Sequence, residues 1–110
     1  MNTKLSRPGR VLIVDDEPDI CEALTLALAA EGLAVTSAGS GAEARESARN
    51  DRPDLLVTDM MLPDCTGLEL IRTLRDDFAE LPVVIITGFG DAATFSEASK
   101  THPVELLNKP

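Results

Sequence analysis

The chain has 110 residues, 44% hydrophobic and 26% charged, the make-up of one soluble globular domain with a single core. Three Phe and no Trp or Tyr make that core aliphatic, and a formal net charge of −9 excludes a segment that binds nucleic acid directly by neutralising its phosphates. No apolar run approaches the ~18 residues of a membrane span, and the first ten residues lack a signal peptide's apolar stretch. The two cysteines, Cys21 and Cys65, form neither a metal spacing nor a disulfide framework, so the expected setting is the cytoplasm with both thiols reduced.

Residues 1–10 read as a flexible lead-in to a domain at 11–110. Residues 11–14 make a first strand, ended by Asp15 and Asp16. Glu17 and Pro18 open a helix, where the missing N–H of proline costs nothing. Ile20, Ala23, Leu24, Ala27, Leu28 and Ala30 keep helical spacing up to Gly32 at the C′ position. Residues 33–37 form a short second strand. Ser40 and Glu43 match a capping box, and Ala42, Ala44 and Ala48 give a small-residue helix that can lie close to a sheet. A third strand at 54–58 leads into Asp59 and the loop 60–65. Thr66 and Glu69 make a second capping box, with Leu70, Ile71 and Leu74 as the apolar face of the helix they open. Residues 83–86 are apolar throughout, as in a strand buried on both faces, and end at Thr87 before a flexible turn at 88–90. Asp91 caps a weak fourth helix to about Lys100, and Pro103 precedes a last strand at 104–107, followed by Asn108, Lys109 and Pro110. The pattern is (βα)₄β, with right-handed parallel crossovers.

In a parallel sheet the residues just past the strand ends gather on one edge, where open α/β folds place their ligands. Here those residues are Asp15, Asp16, Asp59, Thr87 and Lys109. A carboxylate can act as a nucleophile toward phosphorus once a hard divalent cation offsets the repulsion between anions. Asp15 and Asp16 supply acids for Mg²⁺ beside Asp59, and the backbone carbonyl of Met61 completes the protein's share. Lys109 can pair with the empty carboxylate or the phosphoryl oxygens, and Thr87 can donate a hydroxyl hydrogen bond. Taken singly, each of these residues suits a turn, a cap or a solvated surface equally well. Their joint placement is what points to phosphoryl chemistry.

The chain resembles the receiver domains of two-component response regulators over about residues 10–110. The resemblance rests on Val11-Leu-Ile-Val-Asp-Asp-Glu-Pro18, on Leu55-Leu-Val-Thr-Asp-Met-Met-Leu-Pro-Asp64 with Gly67, on Pro82-Val-Val-Ile-Ile-Thr-Gly88, and on Lys109-Pro110. It implies a flavodoxin-like three-layer α/β/α fold with a five-stranded parallel sheet of order 2-1-3-4-5. It also implies Asp59 as phosphoacceptor, Asp15 and Asp16 as metal-site acids, Thr87 as switch hydroxyl and Lys109 as phosphate-sensing lysine. Such a domain accepts a phosphoryl group from a histidine kinase or phosphotransfer protein and signals to an output domain or target, here in transcription regulation. It catalyses only its own phosphorylation and dephosphorylation. Met61 and Phe89, bulky and apolar, would border the path of the hydrolytic water and give a long-lived phosphoryl group. Leu106 replaces the aromatic residue usual three positions before the lysine, which moves the expected readout to the turn and helix after Thr87. His102 is expected to be a solvent-exposed loop residue. Family members continue through a fifth helix, whereas this chain stops at Pro110; a truncated receiver would leave apolar sheet surface uncovered, with homodimerisation or reduced stability as the result. Two other classes share these features. One is a flavodoxin-like interaction module that takes no phosphoryl group. The other is a Mg²⁺-dependent phosphohydrolase with an aspartate nucleophile, whose usual Asp-x-Asp differs from the adjacent Asp15 and Asp16.

Overall fold

The computed structural model describes residues 8–87 and the strand 104–108. Eight elements follow one another: β1 (Arg10–Val14), α1 (Pro18–Ala29), β2 (Ala34–Ala38), α2 (Gly41–Asn50), β3 (Leu55–Asp59), α3 (Gly67–Asp77), β4 (Val83–Thr87) and β5 (Val104–Asn108). The strands form one sheet of order β2-β1-β3-β4-β5, every neighbouring pair parallel, which is the expected topology. The turn at 88–90 with Phe89, the fourth helix expected at 91–100, His102 and Lys109 lie outside the described residues.

Side chains alternate across a strand, and each central strand is apolar on both faces. Leu12 and Val14 of β1, Leu56 of β3 and Val83 and Ile85 of β4 face one way, into a core closed by Ala44 and Ala48 of α2 and Leu70, Ile71 and Leu74 of α3. Val11, Ile13, Val57 and Ile86 face the other way and meet Ile20, Cys21, Leu24 and Leu28 of α1. The result is three layers, with α1 on one face and α2 and α3 on the other. Ile13, Leu56, Leu70 and Ile85 are among the largest fully buried side chains, each worth about 1.5–3 kcal/mol of transfer free energy.

Several local expectations shift. The strands at 33–37, 54–58, 83–86 and 104–107 each run one residue further toward the C-terminal edge, because backbone pairing there includes Ala38, Asp59, Thr87 and Asn108 whatever their side chains. Asp54 lies outside β3 and accepts the Arg10 N–H at 2.8 Å. Ala23, Ala27 and Ala30 are exposed, although their spacing matches the inner stripe of α1. That helix is apolar nearly all round, so spacing alone does not distinguish its faces. Gly32 takes the left-handed conformation, φ 88°, that an L side chain adopts only with strain. Its N–H reaches Ala29 O at 2.9 Å and Leu33 N–H reaches Leu28 O at 3.3 Å, the bond pattern of a Schellman stop. At α2 the capping box is modified: Ser40 Oγ accepts the Glu43 N–H at 3.2 Å, but the Glu43 carboxylate reaches back to Gly39 N–H at 2.7 Å instead of Ser40. The box at α3 is complete, with Thr66 Oγ1 accepting Glu69 N–H at 3.1 Å and Glu69 Oε1 accepting Thr66 N–H at 2.9 Å.

Candidate functional site

β1 and β3 lie side by side at the centre of the sheet and end at the same edge. Asp15 follows Val14 directly, and its N–H continues the ladder to Ala38 O at 3.1 Å. Its side chain is 2% exposed, and Oδ1 accepts the Glu17 N–H at 2.9 Å, so it also shapes the turn into α1. The Cys21 thiol, one turn into α1, donates to Asp15 O at 3.2 Å and ties the helix to this turn. Asp59 is the last residue of β3 and 8% exposed, so its carboxylate is nearly buried but open at the sheet edge.

Carboxylate oxygens of Asp15, Glu17 and Asp59 all lie within 4.8 Å of one another. An all-oxygen, acid-rich donor set of this size suits a hard divalent cation better than a soft one. Glu17 was not expected in this group; its position at the N-cap of α1 turns it back over the strand end, and no local spacing signals that. Asp16 is exposed and lies outside the group. Thr87 is the last residue of β4, paired in register with Asn108 of β5, so its backbone stands at the same edge, while Lys109 and Phe89 fall outside the described residues.

The loop 60–66 is built tightly around Asp59. Met60 N–H donates to Ile86 O at 3.2 Å, Leu62 N–H to Cys65 O at 2.9 Å, and Gly67 N–H back to Met60 O at 2.7 Å. Met61 bridges Thr66 and is 64% exposed, while Leu62 is buried and anchors the loop in the core. Beneath it, Thr58 is fully buried in the apolar layer, and its hydroxyl donates to Asp59 O at 3.0 Å, which satisfies the one polar group of that side chain. Gly67 opens α3 directly against the strand end: a Cβ there would stand 2.3 Å from Asp59 O.

Two ionisable groups in this loop are shifted. The N–H groups of Gly41 and then Ala42 hold the exposed Asp64 carboxyl below its ordinary value of 3.8. Burial, followed by the Asp64 charge, pushes the Cys65 thiol up, so it stays protonated at neutral pH and is no nucleophile. A carboxyl with a lowered folded pKa stabilises the fold fully above its unfolded value, and that contribution fades as pH falls through the lower folded value. The stability gap between the chain and Asp64→Asn should therefore be constant above about pH 5 and shrink below 3.8. Urea melts from pH 7 to pH 2 measure it; a gap that widens on acidification contradicts the assignment.

The comparisons with known proteins agree with this geometry. The response regulator receiver domain family matches residues 11–110. The chain is 46% identical over 81 residues to the probable transcriptional regulatory protein TcrX of Mycobacterium tuberculosis, covering 74% of this chain and 35% of that protein. It is 41% identical over 101 residues to the response regulator protein PilR of Pseudomonas aeruginosa, covering 92% of this chain and 23% of that protein. The chain thus spans well under half the length of these two relatives. Among solved structures, the beryllofluoride-activated NtrC4 receiver domain dimer superposes with a TM-score of 0.85 at 33% identity, covering 92% of this chain and 84% of that one. A receiver domain from Clostridium thermocellum does so at 0.84 and 29%, covering 93% and 82%. The chain belongs to the response regulator receiver domains of two-component signalling.

Proposed function

We propose that Asp59 accepts a phosphoryl group from a histidine kinase or phosphotransfer protein, with Mg²⁺ bound beside it, and that the change is relayed to an output domain or target in transcription regulation. The observation that carries this reading is the convergence of the Asp15, Glu17 and Asp59 carboxylates within 4.8 Å at the C-terminal edge of the sheet. Asp15 and Asp59 would be the firmest ligands, with Asp16 and the Met61 carbonyl as further donors, and Glu17 would contribute from the N-cap of α1. A bound cation offsets the charge that acceptor and donor share.

An Asp59 carboxylate oxygen attacks phosphorus, and the new O–P bond forms as the donor's N–P bond breaks. The bonding pair leaves on the imidazole nitrogen of the donor histidine. With acetyl phosphate, the O–P bond breaks and acetate leaves. The loose transition state of such a transfer asks little beyond alignment and charge stabilisation. Thr87 donates its hydroxyl to a phosphoryl oxygen, and Lys109 pairs with the phosphoryl charge. By the resemblance, Met61 and Phe89 border the path of the hydrolytic water; both are apolar and cannot orient it, so the phosphorylated state is long-lived. A relative that is a probable transcriptional regulatory protein supports a use in transcription control, and the dimeric NtrC4 receiver supports a homodimer as one output. Among the described residues no helix is long and apolar enough to cross a membrane, which fits a cytoplasmic role.

Incubation with acetyl phosphate and Mg²⁺ should add one phosphoryl group to the intact mass, and a chelator should prevent it. An unchanged mass overturns the reading. Cation binding should also show in stability, since clustered anions destabilise the folded state and a ligand bound only to that state stabilises it. Mg²⁺ at ten times its dissociation constant contributes about 1.4 kcal/mol, which raises Tm by about 6 °C in a domain of this size. The rise should vanish in Asp15→Asn and shrink in Asp16→Ala; a full rise in Asp16→Ala assigns the third acid to Glu17.

A further inference from the structure

The loop between β3 and α3 carries the Met61 carbonyl, and its tip is tied to a helix that takes no other part in the site. Asp64 Oδ1 accepts the Gly41 N–H at 2.8 Å and Oδ2 accepts the Ala42 N–H at 3.0 Å, so one carboxylate grips both leading amides of α2. The approach is close as well as polar, since a Cβ on Gly41 would lie 2.5 Å from Cys65 Sγ. The α2 terminus has its own cap besides: Ser40 Oγ takes the Glu43 N–H at 3.2 Å. The loop is also closed on itself by the antiparallel Met61–Thr66 bridge, made of Leu62 N–H to Cys65 O at 2.9 Å and Gly67 N–H to Met60 O at 2.7 Å. A loop closed in this way moves as one piece. Whatever anchors Asp64 at its tip therefore anchors Met61, three residues earlier.

We propose that Asp64 is a positioning residue of the phosphoacceptor site: by gripping the start of α2 it holds the loop 60–66, and with it the Met61 carbonyl, where a cation on Asp15 and Asp59 needs a further protein oxygen. This rests on the assignment of Mg²⁺ and phosphorylation to Asp59 made above. Groups that orient a metal's ligands from outside change its affinity by about 10–100-fold when removed. Leu62 and the loop's internal bonds remain in place without Asp64, so the low end of that range applies and the fold survives.

Phosphorylation by acetyl phosphate, followed by intact mass across a Mg²⁺ titration, tests this on the unsubstituted chain, Asp64→Ala, Asp64→Asn and Ser40→Ala. Asp64→Ala should raise the Mg²⁺ concentration for half-maximal rate about tenfold. At saturating Mg²⁺ its rate should stay within about twofold of the unsubstituted chain, because the reacting groups are untouched. Asp64→Asn keeps one acceptor oxygen and should fall between. Ser40→Ala weakens the same helix end without touching the loop, and should leave the Mg²⁺ dependence unchanged. An unshifted Mg²⁺ dependence in Asp64→Ala, or an equal shift in Ser40→Ala, overturns the positioning role while leaving Asp59 as acceptor. No phosphorylation of the unsubstituted chain at any Mg²⁺ concentration overturns the assignment of Asp59 and this proposal together.

Discussion

Asp59→Asn should abolish the phosphoryl adduct while leaving the fold intact. Asparagine has nearly the shape of aspartate but offers no anionic oxygen to attack phosphorus, so the effect on reaction is total and the effect on packing small. The side chain stands at the open end of β3, 8% exposed, so the substitution buries no new polar surface. With 19 acidic residues in the chain, the specificity of this loss is informative. Asp15 and Glu17 lie in the same cluster and remain available, yet Asp15 is 2% exposed and committed to the Glu17 N–H. Intact mass after incubation with acetyl phosphate and Mg²⁺ decides it. A phosphoryl adduct that persists in Asp59→Asn, at any other carboxylate, would show that the acceptor is misassigned.

Gly67→Ala should be the most damaging small substitution near the site. The added Cβ would meet Asp59 O at 2.3 Å, Asp59 C at 3.3 Å and Met60 Cα at 3.4 Å. All three are backbone atoms of the strand end, so no rotamer change relieves the clash and α3 must retreat from Asp59. Overpacking typically costs 1–3 kcal/mol, and contact with backbone puts this case at about 3 kcal/mol. That corresponds to a fall in Tm of about 10 °C or more. The retreat also breaks the 2.7 Å bond from Gly67 N–H to Met60 O, so phosphorylation should slow in the molecules that stay folded. Gly39→Ala is the matched control: its Cβ meets nothing nearer than Glu43 Oε1 at 3.6 Å, and its φ is not positive. It should change stability by no more than about 0.5 kcal/mol. Thermal and urea melts of both variants measure the contrast, and equal effects would mean that the α3–β3 contact is looser than the geometry states.

The alternation of strands and helices is legible in the sequence because its signals are local. The apolar runs at 11–14, 54–58 and 83–86, the capping residues Ser40 and Thr66, and Gly32 all act within a few positions of themselves. Parallel pairing then brings Asp15 and Asp59 to one edge whatever the details of packing, which is why their meeting is legible in the chain alone, while Asp16, named beside them, falls outside the acid cluster. Contacts between elements are a different matter, since they depend on how layers and loops dock. Glu17 joins the acid cluster only because the N-cap of α1 turns it over the strand end. Asp64 reaches α2 across 23 and 22 positions, and Gly67 meets Asp59 through backbone proximity; neither leaves a periodic trace. Ala23, Ala27 and Ala30 match the inner spacing of α1 yet face outward, because a helix apolar nearly all round leaves the choice of face to the sheet it packs on. Which acids stand at the strand ends is thus written in the local pattern, whereas what holds and surrounds them is decided by docking between distant segments.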